Sequence, residues 1–313
     1  MTVKTMQTAD VKDLLEKVAG FNQDGGNERV KKIVHRFMHD VFQLIEDFDV
    51  TPEEFWQAVY YVGDLGKNGE AALLAPGLGM DKYLDIRMDA EDEQAGLAGG
   101  TPRTIEGPLY VAGAPMSEGF ARMDDGSDEN AETMILTGQV TDENGNPLVN
   151  AVVDVWHANT MGNYSYFDQS QSEYNLRRRI RTDENGRYTA QSIIPAGYGC
   201  PPEGSTQALL NLLGRHGNRP AHIHFFISKS GFKHLTTQIN LAGDEYTYDD
   251  FAFATREELV VEANRIEDPA QAEVYGLNKP FTKVEFNIQL VSTDKPELQN
   301  RHERKRALEG EAA

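Results

Sequence analysis

The spacing of hydrophobic positions changes period once along this chain. Val30, Ile33, Val34, Phe37, Met38, Val41 and Ile45 recur at three, four and seven residues, which predicts an amphipathic helix to about residue 47. Thr51-Pro52-Glu53-Glu54 then spells a capping box with proline at the first helical position, predicting a helix through Phe55, Trp56, Val59 and Tyr60. A Gly- and Pro-rich passage from Gly99 to Pro108 ends this regime. Beyond it the period is two. Met134–Asp142 and Val149–Ala158 flank Asn144-Gly145, and Arg177–Asp183 and Arg187–Ile193 flank Asn185-Gly186, so two hairpins are expected. Val284, Phe286, Ile288 and Leu290 alternate with Lys283, Glu285, Asn287 and Gln289, as in a half-buried strand. Short strands punctuated by turns predict a β-sandwich, and residues from Pro296 onward predict a short terminal helix. The fold class expected is therefore α+β: a helical N-terminal domain over residues 1–105, then an antiparallel or mixed β-sandwich over residues 106–313. A helical face that is apolar over several turns needs a partner, and a second copy of the chain is the expected one, making a homodimer.

Charge and cysteine usage narrow the partners. The net charge of −20 argues against nucleic acid and against attraction to an anionic membrane. It suits a small or neutral ligand. The one basic cluster, Arg301 to Arg306, is interrupted by Glu303 and reads as the solvated end of a terminal helix. No apolar run approaches the roughly 20 residues of a membrane span, and Met1–Asp10 lacks the apolar core of a signal peptide. Cys200 is the only cysteine, so a disulfide within the chain is excluded and a cytoplasmic location is expected. In Gly199-Cys200-Pro201-Pro202 it reads as a small residue packed in a turn.

Candidate chemistry lies in the second half. His222 and His224 sit two apart in a stretch that reads as a strand, so their rings share one face while Ile223 and Phe225 share the other. That spacing can bring two ring nitrogens to one metal ion, although a hydrogen-bonded pair is the commoner outcome for His-x-His alone. Tyr164 and Tyr198 add two phenols nearby in sequence. Anionic oxygen suits a hard, oxidised ion such as ferric iron, and a bound cation can hold a phenol as phenolate near neutral pH. Such a site would take an aromatic, oxygen-rich ligand. His35 and His39, four apart on the first predicted helix, fall off its apolar stripe and are expected to be exposed without a metal role.

Longer motifs carry a resemblance. Leu73-Leu74-Ala75-Pro76-Gly77-Leu78-Gly79, Thr104-Ile105-Glu106-Gly107-Pro108-Leu109-Tyr110, Val155-Trp156-His157-Ala158, Gly162-Asn163-Tyr164-Ser165, Pro195 through Pro202 and Gly217 through His224 are similar to stretches of the intradiol ring-cleaving dioxygenases, nearest the bacterial branch acting on catechol. The resemblance implies a mononuclear, non-haem Fe(III) centre in a catalytic sandwich, with Tyr164, Tyr198, His222 and His224 as ligands. It implies that Tyr198 is also the base that leaves the metal, that Tyr164 stays bound, and that Arg219 stabilises negative charge developing on the ring. Gln238 is a further polar group beside the substrate. The apolar slot for a flat ring maps onto Leu73, Pro76, Ile105, Pro108, Leu109, Cys200, Phe251 and Ala254, which places the pocket between the two halves. The reaction implied is cleavage of catechol with O2 to cis,cis-muconate. The N-terminal helices would form the dimer contact and hold a phospholipid between them. His157 takes a packing or hydrogen-bonding role rather than a place on the metal.

Three other readings compete. Gly138–Asp142 and Thr182–Tyr188 also resemble transthyretin-like and carboxypeptidase-regulatory sandwiches, binding modules in which the two tyrosines and two histidines would not converge. The same chemistry could act on hydroxyquinol or a chlorocatechol; chlorocatechol enzymes usually carry a shorter helical segment than the one here. Zinc hydrolysis would call for carboxylate or cysteine ligands rather than two phenols.

Overall fold

The structure is a computed structural model that describes residues 4–128 and 131–299. The basic cluster Arg301–Arg306 lies outside the described residues, and of the expected terminal helix Pro296–Gln299 is seen. The helices are α1 (Ala9–Val18), α2 (Glu28–Asp47), α3 (Pro52–Lys67), α4 (Ala71–Gly77), α5 (Met80–Gln94), α6 (Ser205–Leu212), α7 (Pro269–Val274) and α8 (Pro296–Gln299). The strands are β1 (Met116–Glu118), β2 (Phe120–Arg122), β3 (Thr133–Thr141), β4 (Val152–His157), β5 (Arg177–Arg181), β6 (Arg187–Ile193), β7 (Tyr198–Gly199), β8 (Asn218–Arg219), β9 (His222–Ser228), β10 (Leu235–Leu241), β11 (Val260–Val261), β12 (Ala263–Ile266), β13 (Phe281–Glu285) and β14 (Ile288–Gln289). Among the described residues no helix is long and apolar enough to cross a membrane.

The chain parts into two compact units, Met1–Gly69 and Glu70–Ala313. The boundary expected at residue 105 marks where helix gives way to strand, but α4 and α5 belong with the strands. Two polar anchors explain this. The Glu70 carboxylate accepts the Ser205 and Thr206 amides at 3.3 and 2.8 Å, capping the start of α6. On α5, Asp89 pairs with Arg103 and Arg256 at 2.8 and 2.6 Å, while Asp92 pairs with Arg103 and Lys233.

Within the first unit, the capping box at Thr51 forms as the sequence dictates: the Glu54 amide donates to Thr51 Oγ1 at 3.2 Å, and the Thr51 amide donates to Glu54 Oε2 at 2.8 Å. On α2 the apolar positions Val30, Ile33 and Phe37 are 54, 54 and 64% exposed. Of the two histidines expected outside, the His39 side chain is 43% exposed, whereas that of His35 is partly covered at 32%. For His35 the reason is α1 and the turn after it, which pack on α2: the His35 ring meets Phe21 at 5.6 Å, and Glu16 Oε1 lies 3.4 Å from its Nε2.

Two sheets form the sandwich, in the orders β1-β5-β4-β9-β10-β11 and β12-β13-β3-β6-β2, with β14 also pairing β3. Both mix parallel and antiparallel pairs. Val153, Val155, Ile223, Phe225, Ile227 and Ile239 from the first sheet meet Leu136, Tyr188, Ala190, Val284 and Phe286 from the second in one buried core. The two Asn-Gly turns do not close hairpins. β3 and β4 lie in different sheets, as do β5 and β6, so each turn carries the chain across the sandwich. An aspartate builds both corners: Asp142 accepts the Asn144 and Asn146 amides at 2.8 Å, and Asp183 accepts those of Asn185 and Arg187 at 2.8 Å. The strand expected over 284–290 alternates in burial but breaks between β13 and β14. There Asn287 Oδ1 accepts the Gln139 amide at 2.9 Å in place of a backbone carbonyl.

Candidate metal centre and active site

Because Ile223 and Phe225 point into the core, His222 and His224 emerge on the outer face of the first sheet, as their spacing predicts. The register across β4, β9 and β10 sets Trp156 opposite His224 and His224 opposite Gln238. The Trp156 indole stacks on the His224 imidazole, centroids 4.8 Å apart and planes 6° from parallel. Tyr164 comes from the loop after β4. Tyr198 comes from β7, which pairs with β8 so that Tyr198 faces Arg219. The four predicted side chains converge: ring centroids are 5.7 Å apart for Tyr164–Tyr198, 6.3 Å for Tyr164–His224, 5.4 Å for Tyr198–His222 and 4.7 Å for His222–His224. Gly162 makes this approach possible, since it has φ +80° and a Cβ there would lie 2.5 Å from Tyr198 Cβ.

Burial governs the protonation of the cluster. It drives His222 down to about 3 and His224 well below the usual imidazole range, with Arg219 and the neighbouring imidazoles adding to the effect, so both rings are neutral. His222 Nδ1 lies 2.6 Å from Pro220 O, a carbonyl that can only accept, so the proton sits on Nδ1 and the one lone pair of Nε2 is shared between Tyr164 Oη at 3.3 Å and Arg219 Nη1 at 3.1 Å. Burial, reinforced by Tyr198, raises the Tyr164 phenol well above its ordinary value. Only a nearby positive charge makes such a phenol a phenolate at neutral pH. Two neutral imidazoles and two phenols with no carboxylate among them form a donor set suited to a hard, highly charged ion. Among the described residues no group of three or more His, Cys, Asp or Glu is gathered as a zinc site of that kind would need.

Arg219 is buried against this cluster with all five donors engaged. Nε and Nη2 reach the two Asp250 oxygens at 3.1 Å each, and Nη2 also reaches Gln238 Oε1 at 2.9 Å. Nη1 reaches Tyr198 Oη at 3.4 Å and His222 Nε2 at 3.1 Å. Burial alone would lower the guanidinium's pKa, but Asp250 and the tyrosine oxygens outweigh it and keep the charge. Asp250 is held below the usual carboxylate range because Arg219 overcomes the cost of its burial.

The predicted wall residues are found in two separate apolar clusters and beside them. Ile105, Cys200, Phe251 and Ala254 share one buried apolar cluster, while Leu109 packs with Tyr164, Tyr198 and Trp156 in another. Pro76 is buried in α4, Leu73 is half-buried there, and Pro108 is half-buried beside Leu109. Since α4 belongs to the second unit, these residues all lie in one compact unit rather than between two. Cys200 is a free, buried thiol raised to about 11 by burial and by Glu70, so it is an apolar wall residue rather than a nucleophile. His157 takes the expected structural role, bonded to Ala158 O at 2.7 Å and Ser192 Oγ at 2.8 Å, and burial lowers it to about 4.

Three residues of the site were not singled out from sequence. Trp156 could have been, because alternation along β4 puts it on the same face as His224. Arg177 lies over the Tyr164 ring at 5.8 Å and binds Ser165 Oγ and O at 3.0 Å each. Neither it nor Asp250 carries any local signal.

The chain matches the family described as Dioxygenase over residues 105–292 and the one described as Catechol dioxygenase N terminus over residues 27–96. It is 58% identical over 292 residues to the catechol 1,2-dioxygenase of Acinetobacter baylyi, covering 93% of this chain and 94% of the relative. It is 56% identical over 301 residues to that of a Pseudomonas species, covering 96% and 100%. Among solved structures it resembles catechol 1,2-dioxygenase from Acinetobacter sp. ADP1 inhibited by bound mercury, with a TM-score of 0.95, 55% identity and coverage of 97% and 99%.

Proposed function

The chain belongs to the intradiol ring-cleaving dioxygenases, and from that premise we propose that it cleaves catechol with O2 to cis,cis-muconate at one Fe(III) held by Tyr164, Tyr198, His222 and His224. The observation that carries this reading is the convergence of two phenols and two neutral imidazoles on one sheet face, which a metal-free binding module of the transthyretin kind has no use for. Ferric iron bound there supplies a hard Lewis acid that draws electron density from a bound catecholate.

The residues divide the remaining work. Tyr198 is half-buried on a two-residue ribbon and takes a proton from an incoming diol hydroxyl. Tyr164 is enclosed, with Arg177 over its ring, and stays in place. Arg219 directs positive charge at the site from a buried position, where an oriented cation stabilises charge most effectively. Ile105, Leu109, Cys200, Phe251 and Ala254 form the apolar slot that holds a flat ring and excludes water. Adding catechol in air to the iron-replete protein is expected to consume O2 and give cis,cis-muconate, with hydroxyquinol and chlorocatechols turned over more slowly. Absence of any ring-opened product would overturn the assignment.

The first unit supports an assembly. Val30, Ile33 and Phe37 on α2 and Trp56, Tyr60 and Val62 on α3 are exposed apolar side chains. The reading is that a second copy covers them, with a phospholipid as a further occupant of the apolar space, and that the enzyme works in the cytoplasm, where its free thiol is stable. Sedimentation is expected to give twice the chain mass of 34.9 kDa, and solvent extraction to release phospholipid. A monomer without lipid would refute both.

A further inference from the structure

Arg219 presents opposite edges to two different tasks, and one buried carboxylate decides which edge faces the reaction. Asp250 is 6% exposed and grips Nε and Nη2, the edge away from the phenols. Nη1 is then left as the nitrogen directed at Tyr198 and His222. The same carboxylate accepts the Ala252 amide at 3.0 Å, and the Phe251 amide donates to Asn218 O at 3.1 Å, beside Arg219 on β8. The turn that carries the wall residues Phe251 and Ala254 is therefore tied twice to the strand that carries the arginine.

We propose that Asp250 is a positioning residue that fixes the Arg219 guanidinium so that Nη1 alone is offered to the substrate. The inference rests on the reading above, in which His222 is a metal ligand. A donor count supports it. A guanidinium has five N–H groups, and all five are occupied here. One of the Nη1 donors is spent on the His222 Nε2 lone pair, which a metal would claim. A second is spent on Tyr198 Oη, the group that moves to receive a proton. Both releases occur on Nη1. The three bonds to Asp250 and Gln238 lie on groups that neither event disturbs, so the plane of the guanidinium holds while its free edge opens toward the diol oxygen. Lysine at position 219 could not do this, because it lacks the fork that allows one edge to be clamped and the other to be free.

The test uses Asp250→Asn, Arg219→Ala and the double variant in the full chain. Asp250→Asn is expected to retain iron and the visible tyrosinate band while kcat per bound iron falls about 100-fold, as for a misplaced catalytic group. KM should change far less. In the Arg219→Ala background Asp250→Asn should cost nothing further, because it acts through the arginine. In the iron-free protein, the Arg219 Nε–H resonance should exchange slowly in the wild type and quickly in Asp250→Asn. Additive losses in the double variant, or an unchanged Arg219 resonance, would overturn the proposal, as would kcat per iron within threefold of wild type. If the wild-type protein fails to open catechol, the proposed function falls. The resonance measurement then still decides whether Asp250 holds Arg219.

Discussion

Tyr198→Phe is expected to lower kcat/KM for catechol by about 10²–10⁴-fold, the range that a positioned base contributes. The size of the effect follows from what the substitution leaves alone. Phenylalanine fills the same volume on β7, so the edge-on contact with Tyr164 at 5.7 Å and the pairing of β7 with β8 persist. The hydroxyl reaches Arg219 at a long 3.4 Å and also interacts with the Tyr164 hydroxyl, and removing it leaves both partners with other contacts, so the cost in stability is modest. Tyr164, His222 and His224 remain, and the protein should keep part of its iron with a weakened visible band. What disappears is the oxygen that can receive a proton from the diol. Turnover per bound iron, set against iron content in the same sample, separates this from simple loss of metal. Activity within threefold of wild type would show that Tyr198 is not the base.

How much of this was legible in the sequence depends on the range of the interaction. The capping box at Thr51 is an interaction across three residues, and it forms where the residues dictate. The shared face of His222 and His224 follows from a period of two, and the structure places Ile223 and Phe225 in the core opposite them. The quartet as a set is legible only in the longer motifs, since the loop that delivers Tyr164 and the two-residue strand that delivers Tyr198 have no period to read. The Asn-Gly corners misled for a definite reason. The local turn forms, yet which sheet the next strand joins is settled by the pairing of β4 with β9 and of β6 with β3, contacts far apart along the chain. Asp250 was invisible because its partner lies 31 residues away and nothing in Tyr248-Asp249-Asp250-Phe251 distinguishes one aspartate from the other. His35 is partly covered by Phe21 and Glu16, which the α2 pattern alone cannot reveal.

Trp156→Ala is expected to destabilise the protein by about 3–5 kcal/mol, as large-to-small changes at buried aromatics do, and to weaken iron binding about 10–100-fold, as the loss of a group supporting a metal ligand does. The stability term comes from its place at the centre of an aromatic cluster: it is 1% exposed and meets Tyr110 at 4.9 Å and Phe226 at 4.7 Å, both edge-on. The metal term comes from a difference between the two histidines. His222 is oriented by a hydrogen bond from Nδ1 to Pro220 O. Among the described residues the buried His224 Nδ1 has no hydrogen-bond partner, so the stacked indole is the contact that orients that ring. Removing the indole opens a cavity into which the imidazole can rotate, and a ligand free to rotate binds with a larger entropy loss. Trp156→Phe, which restores part of the stacking surface, should recover much of the iron affinity while recovering less of the stability, because the larger indole volume is still missing. Urea denaturation and competition for iron against a chelator read the two effects separately. A Trp156→Ala protein that binds iron as tightly as wild type would show that His224 is held by something other than the stack.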